Sequence, residues 1–504
     1  MTLALLISVL LHGESLLGTA SETALLDAYV SLLLGRGDPH DDARFSLDSI
    51  ERADILSTLA EHFATANTGS LPQARVVEIF AKYFESLGWE ESAIAVLNSF
   101  LDRRLLAVRN DNVSFTQSSF LHLFAAKRAV RSSGFLQSLL ERPLYFSSII
   151  KHYAALTRDD PTVLRQVESL LDQALTMETD GTNFSELAAP PEIASVDDDV
   201  VARREGRPTP APPQEDDSDD EFEDWLQSFG SEDPSPFPVH AIEDAPVAVQ
   251  VLEALALVSN VLRDSELVDD LELKQRVLQK TLIVWGKLAD LLEGDEIYQE
   301  FLVRLGKRVA EALPVTKTKR DEFVEEFRDL GPLMTCFGGI AATLASRKLA
   351  RLLDRLFAET EFVEGRESAI MGAMLGFQLR APTWTRYFTA VRELHGPKKA
   401  VNVVLRRFAI SAYYSPATRD DEAAGIETFL IDQFLASKPA VTGRTLKARR
   451  DSLSQSLRAN RSLSAARRKA EIAHARAAEA VPAVEDRLVP EDDARVIEGE
   501  IVRG

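Results

Sequence analysis

The stretch Val113-Ser-Phe-Thr-Gln-Ser-Ser-Phe-Leu-His-Leu-Phe-Ala-Ala-Lys-Arg128 constrains the fold more than any other, because an alternating strand pattern runs straight into an aromatic-rich amphipathic helix. Upstream, apolar residues recur at Ile50, Ile55, Leu56 and Leu59, which predicts a helix over 48–62. A helix start at Ser70-Leu-Pro72 opens a second over 75–84, and a third follows over 91–101. Leu105, Leu106 and Val108 then face Val113 to Phe115 across the turn-forming Arg109-Asn-Asp-Asn112. Helices closed by such a hairpin predict a winged helix over 47–130.

The remainder reads as mainly α. Residues 1–46 read as two helices followed by a polar Gly35-Arg-Gly-Asp-Pro39 loop. A helical extension is expected over 131–188, with Phe135, Leu139, Phe146 and Tyr153 as its apolar positions. Over 189–246 Pro, Asp and Glu dominate, and such a stretch cannot bury enough apolar surface to offset its ordering entropy. It is expected to be a disordered acidic linker. Within it Phe222, Trp225, Leu226 and Phe229 stand at helical spacing, either a docking motif for a basic, apolar groove or a linker that happens to be aromatic. An all-α domain, a helical bundle or irregular solenoid, is expected over 247–440, with breaks at Gly331-Pro332, Ala381-Pro382 and Gly396-Pro397. The tail, 441–504, is expected to be a charged, solvated helix that frays into disorder.

Several function classes are disfavoured by the totals. A chain of 504 residues is long enough for about three domains. Its formal net charge of −22 opposes nonspecific attraction to nucleic acid or anionic lipid. Cys336 is the single cysteine, so no intrachain disulfide or multi-cysteine metal site can form, and a reducing, cytoplasmic setting is expected. The apolar run Leu3 to Leu11 has nothing basic before it and is too short for a bilayer, which takes roughly 20 residues. Gly18-Thr-Ala-Ser21 nevertheless offers small residues at the distance of a leader cleavage site, so a secreted or surface helical protein stands as a third reading.

No G-x-x-x-x-G-K-[ST], H-E-x-x-H, G-x-S-x-G or paired Cys/His ligand spacing occurs, which predicts a chain without catalytic residues, cofactor or metal. The element order ending in the F-x-x-S-x-F-x-x-x-F-A-A pattern of Phe115 to Ala126 resembles the segment that follows the nucleotide-binding core in STAND-class P-loop NTPases of the NACHT type. The resemblance covers about 1–153 and implies that the helical segment 1–46 is lid-like, the last helices of the lid that follows the nucleotide-binding core. It implies a sensor position at the strand-to-helix junction, where this family usually carries a phosphate-sensing histidine and this chain has Gln117, which cannot carry positive charge. It also implies that a separate P-loop ATPase chain supplies the missing core, or that the protein is a shortened derivative that no longer hydrolyses nucleotide.

The leading expectation is a non-catalytic regulatory, sensor or scaffold protein that acts on a protein partner. Winged helices also read DNA with the second helix of the pair in the major groove. Here Arg103, Arg104 and Arg109 are the basic residues near that helix, so a nucleic-acid-binding regulator is the second reading.

Overall fold

A computed structural model describes residues 22–35, 47–180, 247–311, 316–381, 383–395, 399–436 and 444–479. The expected lid residues 1–21 and 36–46, the acidic stretch 181–246 and the end of the tail, 480–504, lie outside the described residues. The chain divides into two compact units, Met1–Ala381 and Pro382–Gly504. The architecture is mainly α.

The first unit opens with α1 (Glu22–Leu33) and α2 (Ser49–Thr65). A capping box sets the start of α2: the Asp48 carboxylate accepts from the Ile50 and Glu51 amides at 2.8 Å, and Glu51 accepts from the Asp48 amide. Strand β1 (Leu71–Pro72) precedes α3 (Gln73–Leu87) and α4 (Ala93–Asp102), and then come β2 (Leu106–Arg109), β3 (Asn112–Phe115) and α5 (Ser118–Arg131). Ser70 therefore does not start a helix: Leu71 and Pro72 pair with β3 first, and α3 begins at Gln73, whose amide donates to the Asp111 carbonyl at 2.8 Å. Gly88 ends α3 in the left-handed region (φ 70°), and the Trp89 amide turns back to the Phe84 carbonyl at 2.9 Å.

The strands form an antiparallel sheet in the order β1-β3-β2. Arg109 pairs with Asn112, so the turn is the two residues Asn110 and Asp111, both at positive φ (52° and 60°). That is the type I′ geometry whose twist suits a tight hairpin, and Asn and Asp tolerate it best after glycine. Helix α5 lies between α2 and α7 (Ser147–Thr157), which explains why Phe120, Leu121, Leu123, Phe124 and Ala125 are all buried rather than a single stripe. The Phe115 ring stands edge-on to Phe63 at 5.6 Å and lies against Phe124 at 5.8 Å.

Helices α6 (Ser133–Leu140) and α8 (Pro161–Asp180) flank α7 in sequence, and the chain is next described at α9 (Val247–Asp264) and α10 (Leu271–Gly294). Both of these pack on α8. Lys280 bridges Glu168 and Asp172 at 2.9 and 2.7 Å, and the Leu267 amide donates to the Arg158 carbonyl at 3.0 Å. The helices on either side of the acidic stretch thus share one core, where composition suggested separate domains. Trp285 on α10 is fully buried and its Nε1 donates to Ser259 Oγ at 3.2 Å.

Then follow α11 (Glu296–Glu311), α12 (Lys317–Thr343), a 3-10 turn (Arg347–Leu349), α13 (Ala350–Leu356), α14 (Thr360–Glu364) and α15 (Arg366–Gln378). The break expected at Gly331-Pro332 is absent: α12 runs through Pro332. An interior proline costs about 3 kcal/mol, and here the burial of Leu330, Cys336, Phe337 and Ile340 along the same helix outweighs it.

The second unit holds α16 (Trp384–His395), α17 (Lys399–Tyr413), α18 (Asp420–Ala436) and α19 (Arg444–Glu479). Its core sets Trp384 edge-on to Phe388 and Phe388 edge-on to Phe429, with ring centroids 4.9 and 5.6 Å apart. Helix α19 is charged and largely exposed, and it is anchored on the other helices of its unit. Arg458 binds Glu427 at 3.0 Å, Arg461 donates to the Thr418 carbonyl at 2.8 Å, and Arg468 donates to the Tyr414 carbonyl. Over 446–468 half-buried side chains recur about every three or four residues.

One buried histidine makes the first unit sensitive to acid. His152 on α7 places Nδ1 2.8 Å from Thr23 Oγ1 on α1, and burial, helped by His122 and Lys151, pushes the imidazole down to about 4. An unfolded chain restores the ordinary value of 6.5, so between those values the unfolded state binds more protons. The contribution is whole above about pH 6.5 and is lost as pH falls toward 4, reaching about 3 kcal/mol. Urea unfolding at pH 7, 6 and 5 is expected to show this decline, and His152→Gln is expected to flatten it. An equally steep decline in the variant would assign the acid sensitivity to other groups.

Candidate interaction surfaces

The hairpin end of the first unit brings together the basic residues picked out in the sequence, but not as one cluster. Arg103 ends α4, and its Nη1 donates to the Leu33 carbonyl at 2.9 Å. Arg52, almost wholly buried, donates to the neighbouring Leu34 carbonyl at the same distance. Two guanidinium groups thus satisfy carbonyls at the end of α1, where an unpaired C=O and the helix dipole both favour a cation. Arg104 is exposed, in the left-handed region at φ 57°, and its carbonyl accepts from Thr116 Oγ1 at 2.7 Å. Arg109 is exposed at the tip of the hairpin. The outward face of α4 carries Ile94, which is 53% exposed, and Asn98, with Glu90 just before the helix.

Gln117, the sensor position implied by the family resemblance, is half-buried and caps α5 through its main chain. Its carbonyl accepts from the Phe120 amide at 3.1 Å, while the side chain makes no cap hydrogen bond. Beside α5 a surface cleft of about 480 Å³ lies between α1 and α2. Its charges are already matched: Lys127 pairs with Asp27 and Arg131 with Asp54, which also accepts from Tyr83 Oη at 2.6 Å. Burial and that aspartate push the Tyr83 phenol up to about 12.

A larger groove of about 830 Å³ lies within the second unit, among α16 to α19. Its surface is mainly apolar, with Ile410 40% and Phe434 42% exposed, and Arg392, Arg406, Glu393 and Asp432 also line it. Arg392 lies over the Phe429 ring at 5.9 Å, and Arg449 lies over Phe434 at 6.0 Å. Gln433 donates through Nε2 to the Asn402 carbonyl at 3.1 Å. Two polar atoms lining this groove, Arg392 Nη1 and Gln433 Oε1, are buried without a hydrogen-bond partner among the described residues. Periodicity marks these residues as helical and nothing more. Which helix faces stay uncovered depends on packing among four helices, and only the clustering of arginines in α17 and α19 hints at a basic surface.

Phe222, Trp225 and Phe229, the proposed docking motif, lie outside the described residues. Among the described residues no group of three or more His, Cys, Asp or Glu side chains is placed to hold a metal ion, and no helix is long and apolar enough to cross a membrane. Comparisons with protein-family models, with curated proteins and with solved structures found no match.

Proposed function

We propose that this chain is a non-catalytic regulatory or scaffold protein that works through protein–protein contacts in the cytoplasm. In this reading residues 47–130 are a winged helix used as a protein-binding module, resembling the part of a NACHT-like STAND NTPase that follows its nucleotide-binding core. The protein takes no cofactor, and a separate P-loop ATPase chain is the partner that the resemblance suggests. Gln117 then serves as a neutral junction residue rather than a phosphate sensor. The observation that favours protein over nucleic acid is the use of Arg103: its guanidinium is spent on the end of α1, which leaves an α4 face of Ile94 and Asn98 with no cation on it.

The nucleic-acid reading is tested on the two exposed arginines, so that folding is not disturbed. Full-length protein is expected not to shift duplex DNA at physiological salt, and Arg104→Gln with Arg109→Gln is expected to leave the capture of a protein partner unchanged. Were DNA bound, each lost phosphate contact would reduce the slope of log affinity against log salt by about 0.9. Salt-sensitive DNA binding abolished by that double variant would replace the protein-contact reading with the nucleic-acid one.

A further inference from the structure

We propose that α19 is a charge-held, detachable arm, which leaves the α16–α18 core as a unit when its ion pairs are screened and so opens the groove of the second unit. The proposal is independent of the winged-helix reading. Burial comes first. Among residues 445–471, where the side chains of α19 are described, none is buried, and Leu446, Leu453 and Leu457 are half-buried. Helices α16, α17 and α18 by contrast bury Trp384, Phe388, Leu405, Tyr413, Ile426 and Phe429, and α18 packs on both of the others. The apolar core of the unit thus belongs to α16–α18. An element with few buried apolar contacts opens at a lower free energy than the core it rests on.

What seats α19 is a register of charge. Arg450 meets Asp432, Arg458 meets Glu427 at 3.0 Å, Arg461 meets Asp420 at 3.4 Å, and Arg468 donates to the Tyr414 carbonyl. Residue numbers rise along α19 as they fall along its partner, and the 18 residues from Arg450 to Arg468 match the 18 from Asp432 back to Tyr414. Two antiparallel stretches therefore lie side by side, with basic side chains from α19 and acidic ones from α18. Glu427 is the centre of this seat. It is 7% exposed and accepts from Ser454 Oγ, Arg458 Nε and Tyr413 Oη. Its arginine partner is 69% exposed and Arg450 is 45% exposed, and pairs so open to solvent weaken as salt rises. Leu453 and Leu457 line the groove together with Ile410 and Phe434, so departure of α19 removes one side of it.

The test is hydrogen–deuterium exchange on full-length protein, read separately over 450–468 and over the buried segments of α16–α18. The screening length falls from about 10 Å at 0.1 M salt to about 3 Å at 1 M. Raising KCl across that range is expected to speed exchange over 450–468 at least about threefold, with the α16–α18 segments unchanged. Glu427→Gln keeps the shape of the side chain and removes its charge. It is expected to speed exchange over 450–468 at low salt by about tenfold, the loss that follows when a charge-assisted hydrogen bond is weakened. Because Glu427 is buried, a second variant is made at the partly exposed pair. Asp432→Arg is expected to loosen α19 at low salt, and Asp432→Arg with Arg450→Asp is expected to restore its protection. Circular dichroism melts establish that each variant is folded.

Three outcomes overturn the proposal. The first is exchange over 450–468 that neither salt nor a folded variant changes. The second is exchange that rises equally in α19 and in α16–α18, which would make α19 an integral part of the core. The third is a charge-swapped protein that stays as loose as Asp432→Arg alone, which would show that the charge register does not hold the helix.

Discussion

Replacing Phe124 with alanine is expected to unfold the layer formed by α2, α5, α7 and the small sheet. The ring is fully buried, lies 5.8 Å from Phe115, and Phe115 in turn meets Phe63. Truncating a buried phenylalanine costs about 3–5 kcal/mol, because the lost transfer energy is joined by the cost of the cavity left behind. Whole-domain stabilities run about 5–15 kcal/mol, so a large share of the total would go. Urea unfolding followed by circular dichroism measures it, with Val130→Ala as the contrast: Val130 is 48% exposed on the same helix and is expected to change stability by less than about 0.5 kcal/mol. A Phe124→Ala protein with the parent's midpoint would show that the helix does not seal this core.

Trp285→Ala is expected to be as damaging, at about 3–5 kcal/mol. The indole fills the contact between α10 and α12 and sits directly over Gly339, where any Cβ would collide with the ring. Its Nε1 also satisfies Ser259 on α9, so truncation opens a cavity and leaves a buried hydroxyl without that donor. Ser259→Ala removes only the hydrogen bond and is expected to cost about 1 kcal/mol. Thermal melts of the two variants separate the contributions, and equal losses would mean that the hydrogen bond, not the packing, carries the site.

Much of the first unit was legible in its sequence because its signals are local. Phe115, Phe120 and Phe124 stand where strand and helix periodicities put them, all inward. Asn110-Asp111 has the chemistry of a tight turn, although the turn proved two residues long because Arg109 and Asn112 still pair. What could not be read was decided by contacts between distant residues. Pro332 reads as a helix breaker until its neighbours are known to be buried. Arg103 looks like a phosphate contact until α1 is seen to end beside it. The tail reads as solvated since Arg458, Arg461 and Arg468 announce charge but not their partners Glu427, Thr418 and Tyr414. The groove was hidden for the same reason. Four helical stripes predict four helices, and the uncovered surface belongs to none of them alone.

The bridge between Glu168 and Lys280 has a consequence for biosynthesis. The two residues are 112 positions apart. Translation proceeds at about 5–20 residues per second, so Lys280 is added roughly 6–22 s after Glu168. Through that interval Val163, Leu164, Val167 and Leu171, which the finished protein buries in the core that α8 shares with α9 and α10, have been made while the other side of the contact has not. The nascent chain is thus a holding state whose most vulnerable surface is set by the order of synthesis, and ribosome-associated chaperones would meet it at α8.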